Sequence, residues 1–484
     1  NRPVILFGTG GIRGIMREGE FDDKAVMVAS KGVAEYMKAN GLKSVVIAYD
    51  TRLNSEHYAK LSASVFSGEG LEAHVFDQPV PTPVLSFAVR KLGMDMGVVI
   101  TASHNPPQYN GYKVYTSNGV QAIPEVTDIL SELVLKAWEQ PIQVNEKYHV
   151  LDSKLLDDYV EEVAKLLNTS LSGLSIVYSP LHGTGARFVP KLLRNLGANV
   201  IEVEEQMAHD GNFPTAKTPN PEDDRALELL REYMKKNKVD LGLATDPDAD
   251  RVGVMYKNIR LTGNQVGVIL SHALGKEYYD SGKRDGMIIK TIVSTDMVKP
   301  ICEEFGLKLF EVPTGFKFIG DLAEKRKDLD FVLGFEESCG YLTGNLARDK
   351  DAVLACGLVA KVAAKNHLAE YMETLYKKYG YYFERLLNFE LGSVEHAREI
   401  YEKLKDLHLP NVKEVIDYSS GYDGVIPNET IRLNFDEGVV YVRPSGTEPK
   451  LKAYVMVKGD SEGAARDSLQ KLEREMRNII NNIQ

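Results

Sequence analysis

The chain has 484 residues, 43% hydrophobic and 26% charged, with 69 Asp and Glu against 58 Lys and Arg, a formal net charge of -11. That length and balance suit three or four domains with cores of their own and exclude disorder as the global state. The acidic excess argues against a nucleic-acid binder, yet a few local cations and backbone amides could still hold an anionic small molecule.

In chain order, Val4-Ile5-Leu6-Phe7 precedes a glycine cluster and is too short for a signal peptide or a membrane span. Short apolar runs then alternate with longer amphipathic segments. Val45–Tyr49, a helical pattern over 55–67, Ala73–Phe76 and Gly97–Ile100 form a first series. Ser175–Tyr178, Asn199–Val203 and Asp240–Ala244 form a second, and Met287–Lys290, Leu307–Phe310 and Asp330–Leu333 a third. Such spacing predicts βαβ units and layered α/β domains. The last hundred residues differ: Thr430–Phe435, Gly438–Val442 and Leu451–Met456 read as a meander, closed by a helix from about Ser461, which makes this part α+β. The expected domains are 1–145, 146–262, 263–380 and 381–484. Cys302, Cys339 and Cys356 show no C-x-x-C spacing, so a zinc site or disulfide framework is not expected. A cytoplasmic protein with no membrane or nucleic-acid partner is the expectation.

Five segments could carry chemistry. Gly8-Thr9-Gly10-Gly11-Ile12-Arg13-Gly14 puts Arg13 where a dinucleotide fingerprint needs its third glycine, leaving a glycine-rich loop that delivers Arg13 to an anion, or a plain turn. A similar glycine pattern returns at His182-Gly183-Thr184-Gly185. Thr101-Ala102-Ser103-His104-Asn105-Pro106-Pro107 follows a strand, where α/β sheets place reactive groups; Ser103 can be a nucleophile, although a capped turn is the simpler reading of the segment alone. Asp246-Pro247-Asp248-Ala249-Asp250-Arg251 is the stronger signal, because three carboxylates at spacing two can converge on a hard cation. A calcium loop would need Gly and Glu where Arg251 and Lys257 stand; Mg²⁺ completed by a phosphate oxygen fits better, and a solvated acidic turn is the alternative. Gly334-Phe335-Glu336-Glu337-Ser338, read as following a strand, offers partners for sugar hydroxyls or an acidic helix cap. Arg443-Pro444-Ser445-Gly446-Thr447-Glu448-Pro449-Lys450 joins two strands and could cradle a phosphate or be an ordinary hairpin.

Taken in order, the Ser103, Asp246–Arg251, Gly334–Ser338 and Arg443–Thr447 segments resemble the α-D-phosphohexomutase family along nearly the whole chain. The resemblance implies three layered α/β domains with mixed sheets and a smaller C-terminal α+β domain around one central cleft. It implies a phosphoglucomutase/phosphomannomutase that interconverts hexose 1-phosphate and hexose 6-phosphate, glucose first and mannose second. Ser103 would be the phosphoserine, and a hexose 1,6-bisphosphate the intermediate and activator. Asp246, Asp248 and Asp250, with a phosphoserine oxygen at Ser103, would hold Mg²⁺. Arg13 and Lys113 match positions beside the phosphoryl group, Lys113 as a general acid or base. His104 would either order the serine loop or move a proton. Arg251, Thr314, Gly315, Glu336, Ser338 and Lys350 match substrate-side positions, and Arg443, Ser445, Gly446 and Thr447 the cradle for the phosphate not being transferred. The chain departs from the bacterial phosphomannomutase pattern, which has histidines where Phe316 and Gly340 stand. Lys350 would be the extra cation. A monomer or homodimer acting on a phosphosugar is implied. A phosphopentomutase or sugar-bisphosphate synthase, a phosphatase, or a non-catalytic sugar-phosphate-binding protein remain as alternatives.

Overall fold

The computed structural model describes residues 11–406, 408–446 and 448–484. Two compact units emerge: residues up to 270 together with 315–368, and residues 271–314 together with 369–484.

The first unit contains a six-stranded mixed sheet in the order Ile12–Ile15, Tyr109–Thr116, Met96–Ile100, Ser44–Tyr49, Glu72–Phe76, His149–Leu151. The two strands at the first edge are antiparallel to their neighbours, and the rest run parallel. Every residue of Met96–Ile100 is buried, as expected of a parallel central strand covered on both faces, where Val and Ile fit the pleat without alternation. The helix Thr82–Leu92 packs on this strand and on Ser44–Tyr49. It starts with Pro81 at its cap and Pro83 in the first turn, and Gly93 at φ 65° ends it. A second mixed sheet runs Ile259–Leu261, Val252–Tyr256, Leu241–Thr245, Ser175–Ser179, Asn199–Glu202. The strand Asp330–Glu336 and its antiparallel partner Gly340–Leu342 also belong to this unit.

Three expectations are corrected here. Arg13 stands on the strand Ile12–Ile15, paired with Gly111, because that segment adds an edge to the sheet in place of forming a loop. The strand read as ending at Leu333 continues to Glu336, since Gly334 and Glu336 pair across to Leu342 and Gly340. The run Asn199–Val203 ends as a strand at Glu202, and Val203 is buried in the turn beyond it.

In the second unit, Gly286–Thr291 pairs parallel with Lys308–Val312. A five-stranded antiparallel sheet runs Tyr381–Glu390, Lys450–Gly459, Gly438–Pro444, Ile431–Asn434, Glu414–Asp417. Its last three predicted strands form the expected meander. The helices Val394–Asp406 and Glu462–Ile483 supply Ile400, Leu404, Leu472 and Met476 to a core against Val440, Leu451 and Val455. The closing helix starts where Ser461 accepts the backbone N–H of Ala464, a side-chain cap for one orphan donor. The strand Tyr381–Glu390 was not foreseen. Its YYFERLLNFE sequence mixes charge and aromatics, and it gains its β character from ten paired residues of a partner 60 to 78 positions away.

No single helix among the described residues is long and apolar enough to cross a membrane. Cys302, Cys339 and Cys356 are buried free thiols.

Candidate active site

In the first unit, the strand Met96–Ile100 ends in Thr101-Ala102-Ser103, at the carboxyl edge where open α/β sheets present their ligand-facing loops. Ser103 is buried and held at φ 54°, a left-handed conformation that costs a non-glycine residue about 1 kcal/mol or more. Its backbone N–H donates to Thr101 Oγ1 at 2.8 Å. The Oγ lies 3.1 Å from Asp246 Oδ2 and 3.3 Å from His104 Nδ1. Burial, reinforced by the positive charges of Arg251 and Arg13, pushes the His104 imidazole well below its ordinary range, so it stands neutral beside the serine. Arg13 donates from Nη1 to Asn105 Oδ1 at 3.0 Å, which ties the edge strand to the serine loop.

The second loop links the antiparallel strands Leu241–Thr245 and Val252–Tyr256. Asp246, Asp248 and Asp250 are buried, and one oxygen of each lies within 4.8 Å of the others. Asp246 Oδ1 accepts the backbone N–H groups of Asp250 and Arg251, both at 3.1 Å. Asp248 Oδ2 accepts the Thr82 hydroxyl at 2.7 Å and lies 3.5 Å from Lys113 Nζ. Asp250 Oδ2 lies 3.2 Å from Lys350 Nζ and 3.8 Å from Lys113 Nζ. Burial, then the neighbouring carboxylates, pushes Asp246 and Asp248 above the usual acid range. Asp250 goes the other way: burial alone would raise it, but Lys350, Lys113 and Arg251 together hold it charged. Asp248 Oδ1 and both Asp250 oxygens are buried with no hydrogen-bond partner. Buried lone pairs left unpaired cost on the order of 1–3 kcal/mol each, more when charged, so this oxygen set suits a hard divalent cation. Ser103 Oγ stands at its edge.

On the far side of the Asp loop, Arg251 lies between two carboxylates. Its Nη1 is 3.9 Å from Glu222 Oε1, its Nη2 is 3.9 Å from Glu336 Oε1, and Nη1 donates to the Ser338 carbonyl at 3.3 Å. Arg251 Nε, Glu222 Oε1 and Glu336 Oε1 have no hydrogen-bond partner, a set of buried donors and acceptors that a polyhydroxyl ligand could satisfy. Lys350 is buried, and although burial alone would lower its ammonium pKa, Asp250 and Asp349 raise it. The departure at Phe316 and Gly340 has a physical reason here. A Cβ on Gly340 would stand 2.7 Å from Lys350 Cδ and 3.0 Å from Glu336 Oε1, and Lys350 Nζ lies 5.9 Å from the Phe316 ring centre. The lysine stem fills the space a side chain at 340 would need.

Gly315, at φ 124°, caps the helix Phe316–Lys325. Thr314 belongs to the second unit, where its hydroxyl is buried and unpartnered. So does the loop after Gly438–Pro444. There the Ser445 N–H donates to the Lys450 carbonyl at 3.0 Å, and the Glu448 N–H donates to Ser445 Oγ at 3.1 Å. Arg443 has no ion pair among the described residues. Thr447 lies outside the described residues. Gly446 is not among the glycines at positive φ and has open space where a Cβ would stand.

The structure thus brings Arg13, Ser103, His104, Lys113, the three aspartates, Arg251, Glu336, Ser338 and Lys350 together within one unit. Sequence reading missed Thr82, which fixes Asp248, and Tyr115, whose hydroxyl donates to Asp349 Oδ2 at 2.5 Å beside Lys350. It also missed Asp50 and Arg52 beneath the serine loop. Asp50-Thr51-Arg52 follows the strand Ser44–Tyr49, and the rule that such strand ends carry function could have found it.

Comparison with known proteins places these features in a family. The descriptions Phosphoglucomutase/phosphomannomutase, alpha/beta/alpha domains I, II and III, match residues 4–140, 157–263 and 262–379, and the C-terminal domain of the same family matches 388–474. The chain is 35% identical to a Schizosaccharomyces pombe protein named "Probable phosphoribomutase", over 95% of this chain and 88% of that protein. It is 33% identical to a phosphoglucomutase of Staphylococcus aureus, over 94% of this chain and 90% of that protein. In three dimensions it resembles a phosphoglucomutase/phosphomannomutase family protein from Burkholderia thailandensis, with a TM-score of 0.79, 20% identity, and coverage of 99% of this chain and 98% of that one.

Proposed function

The chain belongs to the phosphoglucomutase/phosphomannomutase family of phosphate-transferring isomerases, and we propose that it interconverts hexose 1-phosphate and hexose 6-phosphate through a phosphoserine at Ser103. The observation that carries this reading is a buried serine hydroxyl 3.1 Å from the first of three buried carboxylates, with Lys113 and Lys350 on the other two. A binding protein would need no such nucleophile.

In the first half-reaction the bond from phosphorus to Ser103 Oγ breaks and one from phosphorus to the free sugar hydroxyl forms, giving the 1,6-bisphosphate. The attacking hydroxyl's proton passes to a general base, the role we give Lys113. In the second half the bisphosphate, turned end for end, returns its other phosphoryl group to Ser103, and the proton is restored. His104 meets Ser103 Oγ through Nδ1 and orders its loop. In the first unit we assign Arg251, Gly315, Glu336 and Ser338 to sugar hydroxyls and Lys350 as an extra cation; in the second, Thr314 is a further sugar-side candidate and Arg443, Ser445, Gly446 and Thr447 are a candidate phosphate cradle. The open space at Gly446 supports this last role, since an oxyanion can approach the backbone there. The domain limits we assign fall near 145, 262 and 380.

Asp246, Asp248 and Asp250 with Ser103 would hold Mg²⁺. Bound there, the ion would neutralise charge on the transferring phosphoryl group. Thr82 serves this set from outside. Thr82→Val keeps the shape but removes the donor to Asp248, and is expected to weaken Mg²⁺ binding about 10–100-fold, measured by titration calorimetry on the purified protein. Unchanged affinity would show that the hydroxyl has no orienting role.

The test of substrate is turnover of glucose 1-phosphate, mannose 1-phosphate and ribose 1-phosphate, each with a trace of the matching bisphosphate. Glucose 1-phosphate is expected to have the highest kcat/KM, with mannose 1-phosphate within about 100-fold. Likeness to the S. pombe relative supports a second reading, a pentose phosphate substrate, and a preference for ribose 1-phosphate would establish it. Release of inorganic phosphate without isomer would replace both with a phosphatase.

A further inference from the structure

The loop that carries Ser103 is assembled over one buried guanidinium. Arg52 follows the strand Ser44–Tyr49, which runs parallel to the strand leading into Ser103. Its side chain is 0% exposed. Nη2 donates to the Ser103 carbonyl at 2.7 Å and the Asn105 carbonyl at 2.6 Å, and Nη1 to those of Pro106 at 2.9 Å and Tyr109 at 3.2 Å. Nε faces Asp50 Oδ2 at 3.3 Å, and the Phe213 ring lies 5.1 Å from the guanidinium carbon. Asp50 is itself fixed by three donors: Thr101 Oγ1 at 2.6 Å, Ser55 Oγ at 2.7 Å and the Arg52 N–H at 3.0 Å.

A buried arginine is expensive unless its charge and donors are met; here Asp50 answers the charge and four carbonyls take the Nη donors, while Nε has no hydrogen-bond partner. Those carbonyls are not scattered through the fold. All four lie between residues 103 and 109, and the first belongs to the serine held at φ 54°. A capped turn would need one or two such bonds. A loop that must keep one hydroxyl facing Asp246 needs its carbonyls pinned in a plane, which a guanidinium fork does and an ammonium cannot.

We infer that Arg52 is a positioning residue for phosphoryl transfer: it gathers the carbonyls of the Ser103 loop so that Oγ keeps its place beside Asp246, and it sets a fixed positive charge beneath the transferring group. This rests on Ser103 as the phosphoryl carrier. Displacement of about 1 Å at a reacting atom costs on the order of 100-fold in rate, while sugar binding, made by other residues, is untouched.

The experiment uses the full chain. Arg52→Lys is expected to lower kcat about 100-fold with KM within about threefold of the parent, and phosphoryl transfer from isolated phosphoenzyme to sugar phosphate in a single turnover should slow equally. Guanidinium ion, at concentrations too low to denature, should restore at least about tenfold to Arg52→Ala and nothing to Ser103→Ala. A lysine variant with parental kcat, or a loss of activity wholly in KM, overturns the inference. If circular dichroism shows that neither Arg52 variant folds, Ser55→Ala decides. It removes one of the three donors on Asp50, and a fall in kcat at constant KM supports the inference, whereas an unchanged kcat overturns it. Full activity in Ser103→Ala would instead remove the phosphoserine reading itself, and an inert Ser103→Ala beside a fully active Arg52→Lys would remove only the role of Arg52.

Discussion

Ser103→Ala is expected to lose sugar-phosphate isomerisation by a factor on the order of 10⁴ or more, as deletion of a covalent nucleophile does elsewhere, while the protein folds with nearly its parental thermal midpoint. The activity loss follows from position: Oγ is the hydroxyl 3.1 Å from Asp246 and 3.3 Å from a neutral His104. The fold should persist because the loop is held by backbone carbonyls and by the Ser103 N–H, none of which the substitution removes. Conversion of glucose 1-phosphate with saturating bisphosphate is the first measurement. Retention of label from radioactive bisphosphate on the protein is the second. Parental turnover, or label retained by the alanine variant, would sink the assignment.

Asp248→Asn carries the second large expectation. Asp248 Oδ1 is buried and unpartnered, and Oδ2 is shared between Thr82 and Lys113. Replacing the carboxylate removes one charge from the set that would hold the cation, and turnover should fall about 10²–10³-fold, the scale of losing one preorganised electrostatic contact. Stability should move separately. Without added metal, three buried carboxylates within 4.8 Å repel, so the amide should leave the protein at least as stable as the parent. With MgCl₂ at about 100 times its dissociation constant, the parent should gain about 2.7 kcal/mol, seen as a rise in Tm, and Asp248→Asn should gain far less. An equal rise in both proteins would count against the cation site whatever the kinetics show.

What the sequence disclosed depended on how local the physics was. Asp246, Asp248 and Asp250 were legible because their spacing alone forces three like charges together, and only a few uses justify that. The buried strands at Val45–Tyr49 and Gly97–Ile100 were legible because a covered parallel strand needs an unbroken apolar run. Tyr381–Glu390 was not, since half of its residues face away from the core and its pairing partner lies far along the chain. Arg13 read as a loop residue because the edge strand that carries it is four residues long and follows glycines. Thr82 carried no spacing signal, its partner standing 166 positions away, and Arg52 offered only its place at a strand end, since its carbonyl partners stand 51 to 57 positions away.

The charges divide in the same way. By itself the sequence determined the buried strands, the order of the motifs and the residue types of the chemistry, because hydrophobic period and turn chemistry act between near neighbours. Only the tertiary structure decided which of 58 cations face which of 69 acids. Lys113 and Lys350 converge on Asp250 from a strand and a loop, Gly340 is small because Lys350 passes over it, and Arg52 is spent on four carbonyls. Burial is the reason: a charge removed from water must be answered by a specific partner at a few ångströms, and the partner is chosen by packing, which brings together residues that the chain keeps apart.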